Sequence, residues 1–120
     1  MFKRLRQSFY NAGKGLWRTI REEMSFRVQL GTAVIIFVLM LALPLRTIER
    51  LILVLVICAV LVLEIINTIF ERLVDIYKPR LDPYVRDIKD MMAAAVLIAS
   101  LGALAIGLII FIPYLRNLWP

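Results

Sequence analysis

The chain has 120 residues, is 62% hydrophobic, and carries a formal net charge of +6 from 15 basic and 9 acidic side chains. One domain fits this length, and a mean hydropathy of +0.84 excludes an ordinary soluble domain, where apolar residues make up roughly 45–50%. With no histidine and a single cysteine, Cys58, it also excludes histidine catalysis, histidine-ligated metals, an internal disulfide and a cysteine cluster for zinc. Cys58 itself reads as a small buried apolar residue.

Residues 1–27 have neither the apolar core nor the cleavage site of a signal peptide. Phe2, Leu5, Phe9, Leu16 and Ile20 recur at helical intervals, with Lys3, Arg4, Lys14, Arg18 and Arg21 mostly on the opposite side. This predicts an amphipathic surface helix on the cytoplasmic leaflet, with Trp17 at the headgroup level. Gly13 and Gly15 each weaken its middle by roughly 1 kcal/mol relative to Ala, which predicts a bend there.

Three apolar blocks follow. Residues 28–45 and 91–115 contain no charge, and residues 51–70 contain only Glu64. Each meets or approaches the ~20 residues that a helix needs to cross a bilayer, and isolated apolar strands would leave backbone groups unpaired in lipid. The expected fold is an all-α membrane protein: one domain over 1–120, a surface helix, three transmembrane helices, and a cytoplasmic helix end and connector over 71–90. In the third block Ala95, Ala99, Ala103 and Gly107 repeat every four residues, a ladder that lets another helix approach closely, within or between subunits.

Basic residues number seven before the first block, two in the first connector (Arg46, Arg50), five between Arg72 and Asp90, and one (Arg116) after the third. This alternation places the N-terminus in the cytoplasm and the C-terminus outside. The charges flank spans, so they read as orienting signals and not as a nucleic-acid surface.

The second block runs into LEIINTIFERLVDIYK, Leu63–Lys78. With Glu64 at zero on a helical projection of 100° per residue, Asn67, Glu71, Asp75 and Lys78 fall at about 300°, 340°, 20° and 320°. All five share one narrow face. Glu71 lies ~10 Å and Asp75 ~16 Å from Glu64 along the axis, towards the cytoplasm. A solvated face accounts for Glu71, Asp75 and Lys78. It does not account for Glu64, which follows thirteen apolar residues and costs several kcal/mol unless paired, protonated or hydrated, so function is its default reading. Glu22 and Glu23 precede the first block, and Lys89 and Asp90 the third, so three helix ends can converge on one interfacial site. A base here must be a carboxylate or lysine, and a metal a hard cation; Glu23 and Glu71 could hold Mg²⁺ together with substrate phosphates. Phosphate chemistry at the membrane surface and an ion or proton transporter subunit using Glu64 as a relay are both open at this point.

The chain resembles the small prokaryotic diacylglycerol kinases, a family that includes undecaprenol kinases. The resemblance rests on E-x-x-N-T-x-x-E-x-x-x-D at Glu64–Asp75, K-D-x-x-A-A-A-V-L at Lys89–Leu97 and E-x-x-F-R at Glu23–Arg27, after G-K-G-L at Gly13–Leu16. It implies a homotrimeric helical bundle with active sites shared between subunits, ATP as phosphate donor, and a lipid bearing a primary hydroxyl as acceptor. On that pattern Glu64 is the general base, Glu23 and Glu71 bind Mg²⁺, and Asn67 and Asp75 organise the site. Arg4, Glu23, Glu71, Arg80, Lys89 and Asp90 contact the nucleotide, and Glu64, Phe26, Arg27 and Ala93 the lipid. The chain departs from the pattern at Met91 and Met92, where small or hydroxyl residues are frequent, and at Asp82, where a histidine is common. Diacylglycerol is the expected acceptor and undecaprenol the alternative.

Overall fold

The computed structural model describes residues 1–76 and 83–118, which form four helices and, among the described residues, no strand. They are α1 (Phe2–Glu22), α2 (Met24–Ala42), α3 (Thr47–Ile76) and α4 (Pro83–Leu118). Lys78, Arg80 and Asp82 lie outside the described residues.

Helices α2, α3 and α4 are 19, 30 and 36 residues long and apolar enough to cross a membrane. The chain is an integral membrane protein. At 1.5 Å per residue, α3 is about 45 Å and α4 about 54 Å long against a hydrocarbon layer of about 30 Å, so both continue past the lipid. Glu71 and Asp75 lie near the C-terminal end of α3, and Lys89 and Asp90 in the N-terminal part of α4. Proline marks the boundaries: Pro83 opens α4 at the position where a missing N–H costs nothing. Leu43, forced towards the β region by Pro44, ends α2 at φ −100°, ψ 150°.

The α1 helix has no buried residue, and Phe2, Phe9 and Trp17 stand exposed along it. This suits a helix lying on a surface. The expected bend at Gly13 and Gly15 is not found: α1 runs unbroken through both and stops at Glu23, whose φ −112°, ψ 111° is extended. Two glycines cost too little to outweigh nineteen helix-compatible neighbours. The break is held from the far side, where the Arg27 guanidinium donates to the carbonyls of Ile20 (3.0 Å) and Arg21 (2.7 Å), two of the acceptors orphaned by the end of α1.

The α3 helix is the centre of the molecule, packing most extensively along α4 and also against α2. Five of its six buried positions, Glu49, Leu53, Val60, Glu64 and Thr68, step by four and seven residues down one stripe, and Val74 is the sixth. The compact apolar cluster of Met40, Leu43, Leu45, Leu53, Ile110 and Phe111 sits at the end remote from Glu64. There Glu49 is only 8% exposed; it accepts the Arg46 backbone N–H at 3.0 Å and guanidinium N–H at 3.3 Å, and also the Tyr114 hydroxyl.

Most of each span faces outward. The radius of gyration, 17.9 Å, exceeds the roughly 14 Å of a compact soluble domain of this length, and the molecule is 58 × 43 × 22 Å. Lipid tolerates outward apolar surface that water would not. Cys58, expected in the interior, is accordingly exposed on the outside of α3. A Cβ added at Gly107 would meet nothing within 4 Å, so the small-residue ladder is not filled by a helix of the same chain there.

Candidate active site at the α3 end of the bundle

The extended backbone at Glu23 swings its carboxylate from the α1–α2 corner towards α3. Arg72 reaches across and donates through Nη2 to Glu23 at 3.3 Å and to Glu22 at 2.6 Å. One residue earlier on α3, Glu71 accepts the side-chain amide of Asn67 at 3.3 Å. Two turns from Glu71 along α3, Glu64 is 6% exposed. Within the single chain, Arg72 thus brings Glu23 to the stretch of α3 that carries Glu71, with Glu64 two turns further along the same helix. On the α4 side, Lys89 donates to Asp75 at 2.9 Å, tying the C-terminal end of α3 to the N-terminal part of α4. Asp90 is exposed next to it.

Hard-cation chemistry fits this donor set. The Asn67 side-chain carbonyl is buried with no hydrogen-bond partner, an arrangement that calls for an ion or ordered water. It is an oxygen donor on the residue that also fixes Glu71. Among the described residues no three carboxylates or cysteines form a metal cage on their own. That agrees with Mg²⁺, which takes one or two carboxylates and completes its shell with water and substrate phosphates.

Other expected residues stand apart. Arg4 lies near the start of α1, about 28 Å along the helix axis from Glu23 at 1.5 Å per residue. Arg80 is outside the described residues. Of the expected lipid contacts, Phe26 is 2% exposed and packs inside the chain, Arg27 is engaged by the α1 carbonyls, and Ala93 is exposed. A groove of about 350 Å³ runs between α1 and α3, lined by Gly15, Leu16, Thr19, Ile65 and Arg72 among others, with apolar walls and a cationic end.

Two site residues escaped the sequence reading. Arg72 was one basic residue among those orienting the chain, and only the fold shows it bridging to Glu22 and Glu23. Gln29 belongs to an uncharged run, but an amide two residues into an apolar span was itself a signal. Its Nε2 donates to Ser100 of α4 at 3.3 Å.

A model of the prokaryotic diacylglycerol kinase family matches residues 10–111. The chain is 34% identical over 109 residues to an undecaprenol kinase of Bacillus subtilis (strain 168), covering 91% of this chain and 89% of that one. It is 31% identical over 112 residues to a diacylglycerol kinase of a Synechocystis species, covering 92% of this chain and 64% of that longer protein. The chain belongs to the prokaryotic diacylglycerol kinase family. It is an integral-membrane phosphotransferase acting on an alcohol group, and the ion-transporter reading falls away.

Proposed function

We propose that this protein is an ATP-dependent lipid kinase that phosphorylates the primary hydroxyl of a membrane lipid. The observation that carries the reading is Glu64, a carboxylate buried at 6% exposure in a helix apolar enough to cross the membrane. The lipid hydroxyl arrives from within the bilayer at the depth of Glu64, and ATP from the water side, past Glu71. Glu64 accepts the hydroxyl proton as the oxygen attacks the γ-phosphorus. The bond from that phosphorus to the β–γ bridging oxygen breaks, and ADP leaves. Such transfer depends on alignment and charge neutralisation more than on covalent chemistry.

Glu23 and Glu71, with the Asn67 carbonyl, would hold Mg²⁺. When bound, the cation offsets phosphate charge. Asp75 steadies Lys89, which together with Asp90 and Arg80 meets the nucleotide. The exposed α4 surface at Ala93 is offered to the lipid.

A homotrimer with shared sites is part of this reading. Two features support it: Arg4 is too far along α1 to serve its own chain's Glu23, and the ladder at Gly107 lacks an intrachain neighbour. The match to a prokaryotic family supports an inner-membrane location, and the basic-residue alternation supports an N-terminus in the cytoplasm.

Two lipids present a suitable hydroxyl. Sequence motifs alone leaned to diacylglycerol, giving phosphatidic acid; the higher identity and near-complete coverage of the relative named undecaprenol kinase favour undecaprenol. Purified protein with labelled ATP and Mg²⁺, given each lipid separately, tests the reading. Phosphorylated lipid is expected, with undecaprenol the faster acceptor. ATP hydrolysis with neither lipid labelled would refute it.

A further inference from the structure

The two carboxylates proposed to hold Mg²⁺ have different protein partners. Glu71 accepts from a neutral donor, the Asn67 amide, at 3.3 Å. Glu23 accepts from a charged one, Nη2 of Arg72, also at 3.3 Å. An amide orients a carboxylate without repelling a cation that comes to it. A guanidinium opposes that cation twice, by engaging a carboxylate oxygen and by like-charge repulsion. It has no way to relieve the conflict by losing its proton.

The same Nη2 also donates to Glu22, and at 2.6 Å this is the shorter contact. The Glu22 side chain is 51% exposed and that of Glu23 is 27% exposed. Less water reaches Glu23, so it depends more on a positive partner than Glu22 does. The corner between α1 and α2 explains why one cation meets both. Glu22 is the last residue of α1, and the extended backbone of Glu23 (φ −112°, ψ 111°) turns the chain there, opposite Arg72 on α3. Arg72 therefore bridges one carboxylate expected to bind metal and one that is not. An Arg72 that loses Glu23 still keeps its closer contact.

We infer that Arg72 is a built-in competitor for Glu23, and that Glu22 is the acceptor that retains it when a divalent cation takes Glu23. The competition lowers the affinity of the site for the bare cation, so filling it relies more on the phosphate oxygens that complete the cation's shell. This inference rests on the reading of Glu23 as a metal ligand.

The experiment titrates purified, nucleotide-free protein in a neutral detergent with Mn²⁺, a paramagnetic substitute for Mg²⁺, and measures the bound fraction by electron paramagnetic resonance. Arg72→Gln removes the charge and Arg72→Lys keeps it. Arg72→Met also removes the charge, and carries the test if the glutamine variant fails to assemble. The ion pairs are partly exposed, so the expected effect is modest: Kd falls about threefold in both neutral variants and stays close to wild type in Arg72→Lys. Added NaCl should narrow the gap between Arg72→Gln and wild type. Glu22→Gln should raise Kd about twofold alone and have less effect combined with Arg72→Gln, because it acts through Arg72. An unchanged or raised Kd in the neutral variants would overturn the inference. An equal effect of Glu22→Gln with and without Arg72 would overturn the role given to Glu22. Glu23→Gln tests the reading beneath: a wild-type Kd there would show that Glu23 is not a ligand, and the competition would fall with it.

Discussion

Asn67 donates its side-chain amide to Glu71, one turn further along α3, at 3.3 Å, and leaves its own carbonyl oxygen buried without a protein partner. The N–H orients the carboxylate, and in the proposed reading the carbonyl and Glu71 would both be oxygen donors to Mg²⁺.

Asn67→Ala removes both parts. Outer-shell groups that orient a metal-binding carboxylate typically contribute 10–100-fold to metal affinity or activity. The Mg²⁺ concentration for half-maximal activity should rise at least about tenfold in Asn67→Ala, while maximal ATP affinity at saturating Mg²⁺ changes less. An unchanged Mg²⁺ titration would remove Asn67 from the metal site.

Arg72 ties α3 to the α1–α2 corner through Glu22 and Glu23, and its side chain is about half exposed at 48%. Exposed pairs are weak and screened by salt, so Arg72→Ala should leave global thermal inactivation nearly unchanged. Its effect should be local. Hydrogen exchange at the end of α1, around Thr19–Glu23, should quicken, and added salt should reproduce part of that change in the wild type. Identical exchange in the two proteins would contradict the tie.

Arg27 caps the carbonyls of Ile20 and Arg21, so its replacement should free the angle between α1 and α2. Arg27→Ala should broaden the distance distribution between spin labels on α1 and the far end of α2. Arg27→Lys, with one point charge in place of a fork, should broaden it less. Narrow, wild-type distributions in both variants would show that the corner is held by something else.

Tyr114 and Arg46 converge on Glu49 at the end of the bundle remote from Glu64. Tyr114→Phe leaves the ring and removes the hydroxyl donor to a buried acceptor. Thermal inactivation should shift down by a few degrees while kcat at permissive temperature stays at the wild-type value. A large loss of kcat with unchanged stability would move this cluster from structural support into the reaction.

The α3 stripe was fully legible in the sequence, because one helical period fixes which of Glu64, Asn67, Glu71 and Asp75 share a face. The fold class was legible for a similar reason: long uncharged runs have few alternatives in a bilayer. Contacts between helices were not. Arg72 with Glu22 spans fifty positions in the chain and Gln29 with Ser100 spans seventy-one, and no local pattern encodes which helices meet. The bend expected at Gly13 and Gly15 is absent because glycine permits a bend without requiring one. Cys58 was misplaced because burial statistics from soluble proteins do not carry over to a helix surrounded by lipid.

The central claim is that Glu64 takes the proton from the lipid hydroxyl. Glu64→Gln preserves size and hydrogen-bonding capacity but cannot serve as that base. The decisive measurement is lipid phosphorylation by purified Glu64→Gln protein in mixed micelles with labelled ATP, alongside nucleotide binding and oligomer mass. The account predicts that turnover falls at least about a thousandfold while nucleotide binding and assembly stay at wild-type values. Turnover within tenfold of wild type would contradict it.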